Sequence, residues 1–501
     1  MVKKVVICGA GVGGLSCAHE LSKNPEYEIH IYDRNDRIGG LARSALNAQK
    51  EHSEVCWKAV SSGYKYFLTI LDEVADEKGI KLISHLKPLN KFIYAFDDKN
   101  IIEYQNSFVT DISLFSAGFQ NIYGKSVPFL DMIKLAWVKF IANSMCEERL
   151  RTYDRVKWID YINVSPEVRR WVVDSTSIYL GMDYSNLSTH FALQFIRNNR
   201  KPQIIDNAHV FYALDGPMNE ILFATWQSYL EARGVHFHLN HTISSVNLTE
   251  NQIDSIFVKN GDTYSGIDAD IFVNSLSSEQ YAKLLPTVNN RLLAKNGHQI
   301  QTQVLYYLDK KLQPEGTDPT ILIFPDSSWF LMIRIEGDLW ETEYDLLSTG
   351  IGMWDIPGLN GKTALECTRE ELAAECWAQI SKSKHNLKLS KNMPRWDIWE
   401  SFDYDSKTKK MTTWEPKFSN NINTLEYRPH FKDSVLTNLF HANAYTQTYT
   451  NIYNMESGAE AGVKSAHLIQ GKEIVDSTNT HWIYMFFRYI DSILFKRFTQ
   501  I

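Results

Sequence analysis

Apolar residues near the start of the chain follow a strand pattern, then a helix pattern, then a strand pattern again. Residues 4–8 form a β-branched apolar run of strand length, and the apolar positions in 15–21 have helical spacing. A second run of strand length covers residues 28–32. Because strands that alternate with a helix build parallel sheets, the pattern predicts a βαβ unit at the amino terminus.

Glycines occupy the turn between the first predicted strand and the helix. Gly9 suits a tight turn, Gly11 lets a pyrophosphate approach the backbone, and Gly14 allows the helix to pack closely on the strand. Asp33 follows the second strand and can accept hydrogen bonds from a ribose. The amino terminus of the helix would face the phosphates. We therefore predict a dinucleotide site that includes Gly9, Gly11, Val12, Gly13, Gly14 and Asp33.

The segment after Asp33 indicates which dinucleotide is bound. Residues 37–44 read RIGGLARS, which resembles the RxGGxxxS motif of the flavin-containing amine oxidase and phytoene desaturase superfamily. In that superfamily the segment continues the phosphate and ribose contacts of FAD. The resemblance implies FAD, held non-covalently because no Cys or His occupies a covalent-flavin motif. The implied contacts are Arg34, Arg37, Gly39, Gly40, Leu41, Ala42 and Arg43.

A later segment resembles the part of these proteins that reaches the adenine. Residues 215–246 read as a glycine turn, a helix and a strand, and Val246 would lie beside the adenine through its backbone. A return strand is expected at residues 268–273. The resemblance therefore implies that distant parts of the chain close over one cofactor.

The last cofactor segment, residues 438–462, resembles the carboxyl-terminal flavin motif. It would contribute Asn443 and Met455, although Asn443 stands in a pair that departs from the usual Gly-Asp. A helix that begins near Asn454 would direct its positive end at the flavin.

The resemblance also implies the architecture. The fold class is α/β: a Rossmann-like FAD-binding domain, discontinuous in sequence, with an α+β substrate domain inserted. We place the FAD-binding domain at residues 1–75, 205–285 and 430–475, the substrate domain at 76–204 and 286–429, and an amphipathic tail at 476–501.

Composition and charge exclude several classes of protein. The 501 residues are 44% hydrophobic and 22% charged, which is typical of globular domains and not of disordered or coiled-coil chains. The net charge of -7 argues against a nucleic-acid partner. The six cysteines include no CxxC pair, so we expect neither a disulfide framework nor a metal site. We expect a reduced, cytoplasmic protein.

The resemblance implies FAD-dependent oxidation or desaturation of a hydrophobic, isoprenoid-like or lipid-like substrate. A hydride would pass from a substrate carbon to flavin N5. A flavin amine oxidase, a flavin-dependent isomerase and a protein that binds FAD without turnover are the alternatives. The catalytic candidates are Glu51 and His52, which resemble a pair near the flavin, and Tyr445 as part of an aromatic sandwich. Lys310 and Lys311 are candidates for the lysine of amine oxidases.

Two helical segments carry apolar stripes that bear on membrane contact. In residues 127–143 the stripe predicts core packing, with a lipid entrance as the alternative. In residues 481–498 an aromatic and basic helix fits either a membrane interface or docking on the protein itself. No run of about 18 apolar residues occurs, so we expect no membrane-spanning helix but a peripheral contact through the tail as one outcome. The sequence leaves the oligomeric state open.

Overall fold

The computed structural model describes residues 2–56, 58–89, 91–95, 101–105, 128–170, 185–198, 211–285, 298–310, 320–337, 339–340, 342, 345–382, 389–390, 392–474 and 482–499. The α-helices are α1 (Val12–Leu21), α2 (Tyr66–Glu73), α3 (Phe129–Ser144), α4 (Glu147–Thr152), α5 (Trp158–Tyr161), α6 (Pro166–Val168), α7 (Thr189–Asn198), α8 (Ala224–Glu231), α9 (Ser278–Leu284), α10 (Arg369–Lys382), α11 (Met455–Ile469) and α12 (Trp482–Thr499). The strands are β1 (Lys3–Cys8), β2 (Tyr27–Tyr32), β3 (Ser44–Leu46), β4 (His52–Glu54), β5 (Val60–Ser61), β6 (Leu86–Pro88), β7 (Lys91–Ala95), β8 (Ile101–Gln105), β9 (Phe211–Leu214), β10 (Val235–His238), β11 (Thr242–Thr249), β12 (Gln252–Asn260), β13 (Thr263–Asp268), β14 (Ile271–Asn274), β15 (His298–Gln299), β16 (Gln303–Leu308), β17 (Thr320–Phe324), β18 (Leu331–Ile335), β19 (Asp345–Ile351), β20 (Arg395–Asp397), β21 (Phe402–Asp405), β22 (Lys410–Thr413), β23 (Lys417–Phe418) and β24 (Leu439–His441).

The first sheet is parallel and has the strand order β10-β2-β1-β14-β24. The side chains of Val5, Val6 and Ile7 in its central strand β1 are fully buried. A parallel sheet is covered on both faces, and this explains why its central strands β1 and β14 are apolar runs without alternation. The strands predicted at 4–8 and 28–32 are confirmed, and the Rossmann-like α/β fold class is confirmed with them.

Helices α1 and α11 pack against each other through glycines. A Cβ atom on Gly13 would collide with the carbonyl oxygen of Ala442, and a Cβ atom on Gly462 would collide with the carbonyl oxygen of Gly13. Only residues without a side chain permit backbones to approach this closely. The segment before α11 is thereby held against the glycine turn that opens α1.

The second sheet is mainly antiparallel, with the order β20-β16-β19-β18-β17-β7-β8 and one parallel pair, β17 with β7. Helix α10 covers one face, where the ring centroids of Trp377 and Tyr306 are 5.0 Å apart. Ile333, Leu347 and Trp377 are nearly or fully buried in the core between sheet and helix. This is the α+β part of the fold, in which helix and antiparallel sheet pack face to face.

The segment predicted as one strand ending at Val246 forms two strands. β10 joins the parallel sheet, whereas β11 pairs with β12 in a separate antiparallel sheet. The break falls at Asn240, whose φ of 59° is left-handed and ends β10 in a turn. The expected return strand is confirmed as β14, which runs parallel to β1.

The prediction that the apolar stripe of α3 is core is wrong. Leu130, Ile133 and Trp137 are 68%, 50% and 59% exposed. The helix instead buries Leu135 and Val138 against a cluster that includes residues of α7. Apolar side chains lie on both faces of α3, so their spacing alone could not indicate which face is buried.

The tail helix α12 docks on the protein by one face only. The Asp491 carboxylate accepts hydrogen bonds from Cys146 N at 2.9 Å and from Arg149 Nη1 at 2.7 Å. The opposite face is apolar and open, with Trp482 70% and Tyr489 65% exposed. The tail therefore contacts the protein through Asp491, while the apolar stripe that the sequence predicts stays exposed, so neither of the two expected alternatives is settled. Among the described residues, no helix is both long and apolar enough to cross a bilayer.

The variant Gly462→Ala should lower the free energy of unfolding by about 1–3 kcal/mol, because its methyl group would collide with the Gly13 carbonyl and force α11 from α1. Gly458→Ala is the matched control, since a Cβ there would lie 3.4 Å from Gly13 N, an ordinary contact. Chemical unfolding followed by tryptophan fluorescence measures both variants. Equal unfolding free energies for the two would contradict this packing.

Candidate functional site

A cavity of about 740 Å³ is lined by residues of both large sheets, and its volume is typical of ligand sites. We call the two parts of its lining the nucleotide wall and the apolar wall. The nucleotide wall comprises Gly9, Gly11, Val12, Gly13, Asp33, Arg34, Gly39, Gly40, Leu41 and Ala42. The apolar wall comprises Phe195, Phe211, Ile321, Met332 and Ile351. The fold thus brings the predicted cofactor segments and apolar side chains to one space.

The first glycine turn leaves room at one position. Gly9 has a φ of 107°, and a Cβ there would lie 2.6 Å from the carbonyl oxygen of Ser275. A Cβ on Gly14 would collide with the Gly9 carbonyl oxygen, which fits the close packing of helix on strand that the sequence predicts. A Cβ on Gly11 would meet only Gly40 Cα, at 4.0 Å. A side chain at Gly11 is therefore blocked by no protein atom and would take up space at the cavity wall.

The first turn of α1 offers hydrogen-bond donors to the cavity. The residue before the helix, Gly11, supplies no capping side chain, and the first turn contains no acidic residue. Val12 and Gly13 line the cavity. Because the first N–H groups of a helix have no partner within the helix, this uncapped end suits a phosphate.

Asp33 lies where β2 ends and keeps one oxygen available. Its Oδ1 accepts hydrogen bonds from the backbone and side-chain amides of Asn35, and its Oδ2 accepts one from Ala10 N at 2.7 Å. Burial raises the pKa of Asp33, and these hydrogen bonds oppose the shift. Oδ2 retains a lone pair that a ribose hydroxyl can use.

The second glycine segment packs on the first. Gly39 and Gly40 have φ values of 114° and 56°, and Gly39 N donates to Ala10 O at 2.9 Å. A Cβ on Gly39 would lie 2.6 Å from the ring of Phe223. Both glycines therefore have a structural reason to lack a side chain.

Of the three arginines predicted to contact the cofactor, Arg34, Arg37 and Arg43, only Arg34 is among the described residues that line the cavity. Arg34 lines the cavity, while Arg43 lies behind the wall and forms a two-pronged ion pair with Glu415, at 2.7 and 3.0 Å. Burial would raise the pKa of Glu415, but the Arg43 hydrogen bonds outweigh it and lower the pKa. Arg37 pairs with Asp36 near solvent. Arg43 and Arg37 are not among the described residues that line the cavity, so their cofactor contacts stay predictions.

Strand β11 meets the cavity three residues earlier than the sequence predicts. Thr242 and Ile243 line it, whereas Val246 packs beside the apolar cluster of the small antiparallel sheet. The contact at Val246 stays a prediction.

The carboxyl-terminal segment reaches the cavity as expected. Helix α11 begins directly after Asn454, whose Oδ1 accepts a hydrogen bond from Ser457 N at 2.8 Å. Met455 and Asn443 line the cavity. The Asn443 amide donates to Asn274 O at 3.2 Å, which fixes the segment on the end of β14.

Of the three catalytic candidates, Tyr445 lines the cavity. Its hydroxyl accepts a hydrogen bond from Asn274 Nδ2 at 3.1 Å, and its ring stacks on Phe418 with centroids 5.6 Å apart. Burial raises the pKa of this phenol, so the hydroxyl stays protonated. Tyr445 can shape the cavity as a neutral aromatic side chain.

Glu51 and His52 are not among the described residues that line the cavity. Glu51 forms an ion pair with Arg395, and the ring of His52 lies edge-on to Trp340 with centroids 5.8 Å apart. The structure gives this pair a place in the hairpin β3–β4, and its catalytic role stays a prediction.

The lining of the cavity includes two lysines that no sequence motif marks. Lys58 and Lys417 line it, whereas Lys310 is exposed outside it and Lys311 lies outside the described residues. Lys417 lies on the two-residue strand β23, which no motif marks. Nothing in the sequence pattern could have indicated that these two lysines share a cavity.

Comparison with a family model supports the nucleotide wall. The model described as an NAD(P)-binding Rossmann-like domain matches residues 7–74. This span contains both glycine segments and Asp33.

Comparison with single proteins extends the likeness to nearly the whole chain. A zeta-carotene desaturase of Synechocystis sp. is 22% identical over 309 residues, which are 56% of this chain and 59% of the relative, so the chain spans about three fifths of its length. Cyclohexylamine oxidase from Brevibacterium oxydans superimposes with a TM-score of 0.65 at 15% identity, over 94% of this chain and 99% of that one. Putrescine oxidase bound to putrescine gives 0.64 at 14% identity, over 94% and 99%.

The resemblance to the flavin-containing amine oxidase and phytoene desaturase superfamily is confirmed at the level of the fold. Relatives of this superfamily that match the chain are named as oxidases or as a desaturase. The findings point to a dinucleotide cofactor, either a flavin or NAD(P).

The variant Gly11→Val should weaken cofactor binding at least about tenfold, because the branched side chain enters space that the protein leaves open at the nucleotide wall. Its unfolding free energy without cofactor should stay within about 1 kcal/mol of the native value. Gly266→Val on β13 is the control, with its Cβ in ordinary contact with Phe257. Titration of cofactor-free protein measures the affinity, and native affinity in Gly11→Val would refute the assignment of this turn.

Proposed function

We propose that the protein is an FAD-dependent oxidoreductase that dehydrogenates an apolar, lipid-like substrate. The observation that carries the proposal is the single cavity in which the nucleotide wall and the apolar wall face a common space. A cofactor on the first wall and a substrate on the second would be in contact. The Rossmann-like fold and the named desaturase and oxidases among the relatives agree with this chemistry.

Several features of the lining support FAD as the cofactor. The uncapped end of α1 suits the pyrophosphate, and Asp33 suits the ribose. The wall continues beyond them through Asn443, Tyr445 and Met455 at the start of α11. The start of a second helix, α11, in the same lining suits the isoalloxazine ring, because the reduced ring is anionic and a helix amino terminus is positive. Bound FAD would supply acceptance of a hydride from carbon.

The chain's own contribution is to orient the substrate and to exclude water. Phe195, Phe211 and Ile351 supply surfaces from a helix, a short strand and the second sheet. Apolar walls hold a hydrocarbon by burial of its surface, and a reacting carbon held at a fixed place gains rate through orientation.

The charges in the lining disfavour a cationic amine as substrate. Among the described residues of the lining, each carboxylate already accepts hydrogen bonds from the protein. Glu415 is paired with Arg43, Glu456 accepts three backbone amides, and Glu460 is paired with Lys464. Asp33 is held by Ala10 and Asn35. An ammonium substrate would have to compete with these protein donors for the carboxylates of the lining.

Anaerobic reduction of the FAD-loaded protein tests the proposal. Isoprenoid and fatty-acyl compounds should bleach the visible absorbance of the flavin, and the product should have lost two hydrogen atoms by mass spectrometry. The variant Phe195→Ala should keep its FAD and raise the KM for such a substrate about tenfold, since it removes part of the apolar wall.

Other outcomes of the same experiment favour the alternatives. Bleaching by amines, with release of peroxide when oxygen is admitted, would make the protein an amine oxidase. A shifted double bond without net reduction of the flavin would make it an isomerase. Retention of FAD with no reaction toward either panel would leave a binding protein without turnover.

We also propose that α3 and α12 form a surface that docks on an anionic bilayer. The two helices pack side by side, with the rings of Phe140 and Phe487 5.3 Å apart. Their open faces carry exposed apolar residues, which we call the membrane face: Phe129, Leu130, Ile133, Trp137, Trp482, Met485, Phe486, Tyr489, Ile493 and Leu494. An apolar patch of this extent marks an interaction surface.

The chemistry around the membrane face favours lipid as the occupant. Trp482, Trp137 and Tyr489 combine apolar rings with a polar edge, as side chains at membrane interfaces do. Lys134, Lys496 and Arg497 are exposed beside them. Basic residues next to an apolar face attract anionic headgroups.

The quadruple variant Trp482→Ser, Phe486→Ser, Lys496→Glu, Arg497→Glu should reduce sedimentation with phosphatidylserine vesicles at least about tenfold. Its melting temperature should stay close to the native one, because these side chains are exposed. Asp491→Asn is the control, since it weakens docking of α12 and should lower the melting temperature instead. Absence of vesicle binding by the native protein, or concentration-dependent dimers in its place, would refute lipid as the occupant.

A further inference from the structure

A cationic cluster lies in the cavity wall, built from three segments remote in sequence. Lys417 Nζ lies 3.1 Å from Cys56 Sγ and 3.1 Å from Gln301 Oε1. Lys58 lines the same cavity two residues after Cys56. We call Cys56, Lys58, Gln301 and Lys417 the lysine cluster.

The ammonium group of Lys58 is a buried hydrogen-bond donor whose partner is missing among the described residues. Its side chain is only 10% exposed, and its ammonium has no hydrogen-bond partner among the described residues. The carboxylate of Glu54 is the ion-pair partner, at 3.7 Å, which is too far for a hydrogen bond. A buried ammonium with unused donors is costly, so a ligand that accepts those donors gains affinity.

The charges around the lysine cluster do not balance. Glu336 is paired with Arg334, and Glu54 faces Lys58. Within the described part of the chain, no carboxylate lies within ion-pair distance of Lys417. Lys58 thus has a carboxylate partner, whereas Lys417 has none among the described residues.

Cys56 lies close enough to Lys58 and Lys417 for both positive charges to act on its thiol. Burial would raise the pKa of Cys56, but Lys417 and Lys58 outweigh it and lower the pKa below its usual value. Cys56 is also the one partly exposed thiol of the chain, the other five being buried. It is therefore a local probe of the lysine cluster.

We propose that Lys58 and Lys417 form an anion subsite that binds the carboxylate of an otherwise apolar substrate. A carboxylate carries the single negative charge that the lysine cluster lacks, and its two oxygens accept hydrogen bonds from two ammonium groups. The apolar wall then holds the hydrocarbon part. The inference rests on the proposed function, which supplies the lipid-like class, and it narrows that class to an acid.

Three ligands with the same hydrocarbon chain test the subsite: oleate, oleyl alcohol and oleylamine. Binding to the FAD-loaded protein is measured by titration calorimetry below the micelle-forming concentration. Oleate should bind at least about tenfold more tightly than oleyl alcohol, and oleylamine should bind most weakly. Bound oleate should also slow alkylation of Cys56 by iodoacetamide, measured by mass spectrometry of the modified residue.

Two variants separate charge from packing. Lys58→Met and Lys417→Met keep an unbranched side chain, so each should lose about tenfold in affinity for oleate while affinity for oleyl alcohol stays unchanged. Lys417→Met should also slow alkylation of Cys56, since the thiol loses its nearest cation. Lys410→Met, at an exposed position on β22, is the control. It should change neither the affinity for oleate nor the rate of alkylation of Cys56.

Several results would overturn the subsite. These are no preference for oleate in the native protein, an unchanged preference in both lysine variants, an equal loss of oleyl alcohol binding, or no binding of any of the three ligands. Loss of FAD from a lysine variant would assign the cation to the cofactor instead. A native protein that prefers oleate but shows no flavin bleaching would refute the proposed dehydrogenation and leave the subsite intact.

Discussion

The close contact between α1 and α11 is the constraint on which the site depends. Gly462 lets the two helix backbones touch, since a Cβ there would collide with Gly13 O, and Gly13 lets the Ala442 carbonyl approach the start of α1. One helix follows the first strand of the parallel sheet, and the other follows its last strand, more than 400 residues later. Because both open at the cavity, their contact fixes the nucleotide wall from two directions.

The parallel sheet could be predicted because its signals are local. The apolar run of β1, the turn at Gly9 and the end of β2 at Asp33 each specify their own conformation within a few residues. The orientation of α3 and α12 could not be predicted in the same way. Both helices have apolar residues on more than one face, and a partner such as Arg149, far away in sequence, decides which face of α12 is buried.

In the candidate site, too, residues with local signals could be predicted, and residues brought together only by the fold could not. Glycine positions were found from the sequence because a left-handed φ or a close backbone approach leaves a visible mark. The lysine cluster was not found, because Cys56, Gln301 and Lys417 meet only through the folding of three segments. For Arg43 the motif predicts a cofactor contact. In the fold its guanidinium pairs with Glu415, and its Cζ lies 5.1 Å from the ring centroid of Trp399. A motif identifies a segment more securely than it identifies the contacts of each side chain.

We propose that the nucleotide wall holds FAD. It is tested most directly by denaturing the purified protein after reconstitution with a mixture of FAD, NAD⁺ and NADP⁺ and identifying the released cofactor by mass spectrometry. We expect FAD in equimolar amount, released intact because it is not covalently attached. Release of a nicotinamide dinucleotide, or of no cofactor, would contradict it.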